Sequence, residues 1–174
     1  MDVPPSRWRR RLAAALALAA VAVSAHAAWM PAKAELSQLL LKRSWAATRA
    51  DGAAHRPWPW ADTHAVARLR APALHVDQVV LAGDDGRALA FGPGWAAASA
   101  APGATEGSTV ISGHRDTHFA WLRGLRAGEE LLLDTPGGQR RYRVATTQVV
   151  DSRTTRLDPA LPGHRLVLVT CWPY

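Results

Sequence analysis

The sequence predicts an all-β domain, an antiparallel sandwich or barrel with short helices, preceded by an apolar N-terminal helix. Three observations carry this expectation. Short runs rich in Val, Leu, Ile and Thr recur from residue 65 to residue 170, with turn residues between them. Thr135-Pro136-Gly137-Gly138 separates two such runs and is a hairpin signal. Ahead of them all, residues 12–30 are apolar except for Ser24 and His26, and follow Arg7, Arg9, Arg10 and Arg11.

That N-terminal stretch has the order of a charged region followed by a hydrophobic one, at a length close to the roughly 20 residues that span a bilayer. Arginines stay on the cytoplasmic side, so the remainder is expected outside. Ala25-His26-Ala27 has the form of a signal-peptide cleavage site, while an uncleaved segment would serve as a signal anchor. Both readings predict an extracytoplasmic domain. Residues 1–30 are therefore expected to form a basic stub and membrane segment in contact with lipid. Residues 31–62 are expected to form a juxtamembrane helix and a Trp/Pro-rich linker, and residues 63–174 the β domain.

A helix is expected over residues 31–49, with Leu36, Leu39, Leu40 and Ala47 near one face, Pro31 at its start and Asp51-Gly52 at its end. Arg56-Pro57-Trp58-Pro59-Trp60 cannot be regular structure, and its tryptophans are expected to anchor packing. Strands are expected over 65–70, 74–81, 109–112, 130–134, 139–150 and 166–170. Asp84-Asp85-Gly86 is expected as a hairpin turn, residues 98–107 as a small-residue loop and 119–125 as a turn of helix.

Composition excludes some functions. The net charge of +7 comes partly from the N-terminal arginines, and no basic run is interleaved with aromatics, so no nucleic-acid partner is expected. A single cysteine, Cys171, excludes an internal disulfide and any multi-cysteine zinc site. Taken alone, it also fits a small buried hydrophobe at a strand end. Outside the cytoplasm, however, a free thiol is open to oxidation, which favours a role for it.

Cys171 ends the run Leu166-Val167-Leu168-Val169-Thr170, and His114 ends the run Thr109-Val110-Ile111-Ser112-Gly113. If the two strands lie together, thiol and imidazole converge. An imidazole can take the thiol proton and later protonate a leaving amine. His114-Arg115-Asp116-Thr117-His118 offers an alternative, because alternate residues of a strand share a face and imidazole and carboxylate both bind zinc. The same triplet lacks the asparagine that a kinase catalytic loop carries five residues after its Asp, a place held by Trp121. His26, His55, His64, His75 and His164 follow no pattern and are expected to be surface or packing residues.

At these motifs the chain resembles the sortase family. Leu168-Val169-Thr170-Cys171 matches the family's cysteine strand, and Ile111-Ser112-Gly113-His114-Arg115-Asp116-Thr117 matches its histidine segment. Gly92-Pro93-Gly94 with Pro102-Gly103, Ala71-Pro72-Ala73-Leu74-His75-Val76-Asp77, and Phe119 through Leu122, Leu125, Gly128 and Glu129 extend the similarity from Arg68 to Pro173. The N-terminal segment and the Trp-Pro-Trp stretch resemble the single-copy sortases of proteobacteria. The resemblance implies a closed β-barrel of about eight strands and a membrane-bound enzyme on the periplasmic face of the inner membrane. It implies a cysteine transpeptidase that needs no cofactor or metal. Cys171 would form a thioester with a C-terminal sorting signal of a secreted protein, and His114 would serve as acid and base toward an amine acceptor. The family also uses an arginine on the strand after the cysteine. Nothing follows Tyr174 in this sequence, so the expectation is a C-terminally truncated chain of low or no activity. Two further readings stay open: a non-catalytic peptide-binding β domain, and a metal-dependent hydrolase using His114, Asp116 and His118.

Overall fold

The computed structural model of the chain describes residues 7–158, 160 and 162–173. Two compact units are present, Met1–Ser37 and Gln38–Tyr174. Helix α1 (Arg7–Asp51) begins in the first and finishes in the second. It runs without a break through the expected apolar helix of residues 12–30 and the expected helix of residues 31–49, in keeping with an alanine-rich stretch that loses little side-chain entropy on becoming helical. Among the described residues, no helix is long and apolar enough to cross a membrane. The helix ends where the sequence predicts: Gly52 takes the left-handed φ of 74° and its N–H donates to the Thr48 carbonyl at 2.8 Å.

Within the second unit, the end of α1 buries Leu41, Ser44, Trp45 and Thr48, a helical i, i+3, i+4, i+7 stripe. The expected face was different. Leu36 and Leu39 remain about half exposed, at 55% and 46%, because the stripe that meets the sheet is set by Trp45.

The sheet has seven strands in the order β6-β5-β1-β2-β3-β4-β7. These are β1 (Ala65–Ala71), β2 (Val76–Ala82), β3 (Gly94–Trp95), β4 (Gly107–Ser112), β5 (Glu130–Thr135), β6 (Gly138–Arg143) and β7 (His164–Val169). Four pairings are antiparallel, as expected, but β2–β3 and β4–β7 are parallel. The first departure has a local cause. Asp85 does not sit in a hairpin turn. Its Oδ1 accepts from the N–H groups of Arg87 and Ala88 at 2.9 and 3.0 Å, capping a one-turn helix, α2 (Gly86–Leu89), that lets the chain cross back alongside β2.

The Thr135–Gly138 hairpin forms as predicted, with Thr135 paired to Gly138 and its hydroxyl donating to the Gly138 carbonyl at 2.9 Å. Its second strand is shorter than the expected 139–150. β5 begins at Glu130, whose partner is Arg143, so residues beyond Arg143 have no strand residue opposite them. The outermost strands then approach each other. Tyr142 of β6 stacks on His164 of β7 with centroids 4.9 Å apart, and its hydroxyl lies 2.8 Å from His164 Nε2. The sheet thus curls toward a barrel.

Alternation sorts the core. Ala67, Leu69, Val80, Ile111, Phe119 and Leu133 form one buried cluster; Leu41, Trp45, Ala65, Val79 and Leu81 form the other. Val79, Val80 and Leu81 are all buried because β2 is covered on both faces, by the barrel interior and by α1. Of the two tryptophans expected as anchors, Trp58 packs edge-on against Phe91 at 5.0 Å, whereas Trp60 is 79% exposed.

Candidate active site

β4 and β7 run parallel in unbroken register from Gly107↔His164 to Ser112↔Val169. Two bonds carry the pairing past the strand ends: Gly113 N–H donates to the Val169 carbonyl at 3.1 Å, and the Thr170 hydroxyl donates to the Gly113 carbonyl at 2.8 Å. One residue further along each chain stand His114 and Cys171. Neighbouring strands lie about 4.8 Å apart, so the register delivers both residues to one end of the sheet. Both are exposed, which rules out Cys171 as a buried packing residue.

The turn after His114 is tightly held. Phe119 is fully buried, and its N–H donates to the His114 carbonyl at 3.0 Å. Its ring lies so close to Gly113 that a Cβ there would stand 2.7 Å from ring carbon. Glycine before the histidine is therefore a packing requirement. The His118 carbonyl accepts from Gln78 Nε2 and from Trp121 Nε1, each at 2.8 Å, tying the turn to β2 and to the following 3₁₀ turn, Ala120–Gly124.

Charge is arranged around the histidine. Arg115 makes a two-point ion pair with Asp116, Nε to Oδ1 at 2.8 Å and Nη2 to Oδ2 at 2.7 Å. This pairing holds the Asp116 carboxyl below its usual range, with His114 adding to the effect. Burial, and then the charge of His114, push the His118 imidazole below its ordinary value, against a hydrogen bond with the Ala90 backbone.

The zinc reading of His114, Asp116 and His118 fails on geometry. Residues 115–119 form a turn, so alternate residues do not share a face, and Asp116 is engaged by Arg115. Among the described residues, no group of three His, Cys, Asp or Glu side chains is placed to hold a metal. Sequence reasoning missed Gln78, Trp121 and the Arg115–Asp116 pair. Only the adjacency of opposite charges beside His114 could have pointed to the pair.

A family model described as the sortase domain matches residues 69–174. The chain belongs to the sortase family. Sortase D of Bacillus subtilis (strain 168) is 31% identical over 107 residues, covering 61% of this chain and 54% of that protein. The chain thus spans about half the length of this relative. Sortase A from Corynebacterium diphtheriae superposes with a TM-score of 0.56 and 27% identity over 66% of this chain and 56% of that structure. Sortase E1 from Streptomyces coelicolor, solved with a tripeptide in its active site, gives a TM-score of 0.56 and 28% identity over 63% and 78%. The Clostridium perfringens Sortase D5 transpeptidase shares the fold, with a TM-score of 0.64 at 17% identity over 80% and 91%. Sortase-like β-barrel architecture with short helices is therefore the fold of the second unit, with the parallel pairings as the correction to the antiparallel expectation.

Proposed function

We propose that this sortase-family chain is a cysteine transpeptidase acting on a C-terminal sorting signal of a secreted protein, with Cys171 as nucleophile and His114 as acid and base. The observation that carries this reading is the β4–β7 register, which brings the two residues to one strand end. A thiol is mostly protonated at neutral pH, and an adjacent imidazole accepts its proton. The Cys171 thiolate attacks the scissile carbonyl. The C–N bond breaks, the leaving amine takes a proton from the His114 imidazolium, and a thioester remains. An acceptor amine then attacks the thioester and gives its proton to His114, and the thiolate leaves.

Intact-mass measurement with a library of C-terminal peptides from secreted proteins tests this reading. The expected result is a peptide adduct on Cys171 that hydroxylamine releases, absent in Cys171→Ala. His114→Ala should slow acylation by about 10²- to 10⁴-fold. An adduct that persists in Cys171→Ala, or peptide binding with no adduct in the parent chain, defeats the proposal.

The domain is further proposed to sit on the extracytoplasmic side of the inner membrane, tethered by residues 12–30. The four arginines before that apolar stretch support this reading. Carbonate extraction of native membranes should leave the protein in the pellet; release into the supernatant argues against a tether.

A further inference from the structure

We propose that Arg115 is a positioning residue whose guanidinium, aimed by Asp116, grips the backbone just after Cys171 and fixes the thiol at the end of β7. The proposal rests on the transpeptidase reading of Cys171. The ladder bonds between β4 and β7 stop at Thr170. Cys171, Trp172 and Pro173 lie beyond them, exposed. Across this gap Arg115 Nη1 donates to the Pro173 carbonyl, joining two segments that are 58 residues apart in sequence.

The geometry suits an arginine. Nε and Nη2 are committed to the two oxygens of Asp116, at 2.8 and 2.7 Å. The planar fork is thereby locked in orientation, and Nη1 points where the carbonyl stands. A lysine has no rigid fork and could serve as a point charge, but not as an aimed two-sided bridge. Among the described residues, the turn after β4 contributes His114, Arg115 and Asp116 here, and the charge of His114 acts on both Asp116 and His118.

Position matters for this chemistry, because a displacement of about 1 Å can cost roughly 100-fold in rate. Two readouts on the full chain test the grip: the rate of acyl-enzyme formation, and the backbone order of Cys171 and Trp172 by NMR relaxation.

Arg115→Ala should slow acylation at least about tenfold and lower the backbone order of Cys171 and Trp172, with the melting temperature unchanged. Arg115→Lys, which keeps the charge but not the fork, should restore neither. Asp116→Asn, which loosens the aim but keeps the cation, should behave like the lysine variant, and serves if Arg115→Ala unfolds. Wild-type acylation in Arg115→Lys, or unchanged order in Arg115→Ala, overturns the proposal. If the parent chain forms no acyl-enzyme with any peptide, the transpeptidase reading falls on its own. The backbone order still decides whether Arg115 holds the segment.

Discussion

At Gly113 the site depends on a missing side chain. The Phe119 ring occupies the space where a Cβ would stand, at 2.7–3.0 Å. Gly113→Ala must push that buried ring or the β4 backbone aside, at a cost of about 1–3 kcal/mol. Urea denaturation should read this loss, and an unchanged midpoint would mean the ring yields freely. Phe119→Ala should cost more, about 3–5 kcal/mol, by leaving a cavity under the histidine turn. His118 predicts a pH effect. Its imidazole is pushed below the ordinary 6.5 by burial, and then by His114. A base whose folded pKa is depressed contributes stability that is full above the unfolded value and is lost as pH falls through the folded one. Stability should therefore drop as pH falls from about 6.5, and His118→Gln should flatten that slope. Equal slopes in the two proteins would remove His118 from the account.

Among the elements, α1 has its best-defined role in its last turns, where Trp45 is 4% exposed against Val79 and Leu81. Trp45→Ala should cost about 3–5 kcal/mol by denaturant titration; a loss below about 1 kcal/mol would mean that the helix end is only loosely docked. Much of the strand pattern was legible in advance. Alternation marks β1, whose every second residue is buried, and Pro136-Gly137 between Thr135 and Gly138 fixes the β5–β6 hairpin. His114 and Cys171 were legible because each ends an apolar run, and the family motifs reinforced them. Parallel pairing was not legible, since local sequence does not record which distant strand a run will meet. Asp84-Asp85-Gly86 shows the limit well: the same residues suit a hairpin turn or a helix cap, and the crossover from β2 to β3 decides between them. The buried face of α1 was misjudged because the periodicity of Leu36, Leu39 and Leu40 says nothing about where the sheet begins. Arg115 stayed hidden because its partner is a carbonyl 58 residues away.

For the molecule as a whole, seven strands enclose the core only if the two outer ones approach each other. Tyr142 and His164 make that approach, through a stack and a 2.8 Å hydrogen bond. Tyr142→Phe removes the bond and should cost no more than about 1 kcal/mol, since the bond is exposed. Tyr142→Ala also removes the ring and should raise hydrogen exchange in β6 and β7 ahead of β1 and β2. Uniform exchange across all strands would show that the corner does not hold the edges. The parallel β4–β7 ladder, finally, bears on the order of folding. Its two strands are joined through a segment of more than fifty residues, as the 57-residue separation of Gly113 and Thr170 shows. Closing so long a loop precedes any reward from the pairing, so this ladder belongs to the slow events of chain collapse. Until it closes, nothing brings Cys171 and His114 to one end of the sheet. On the function proposed above, nucleophile and acid–base partner therefore meet only once the last strand is in place.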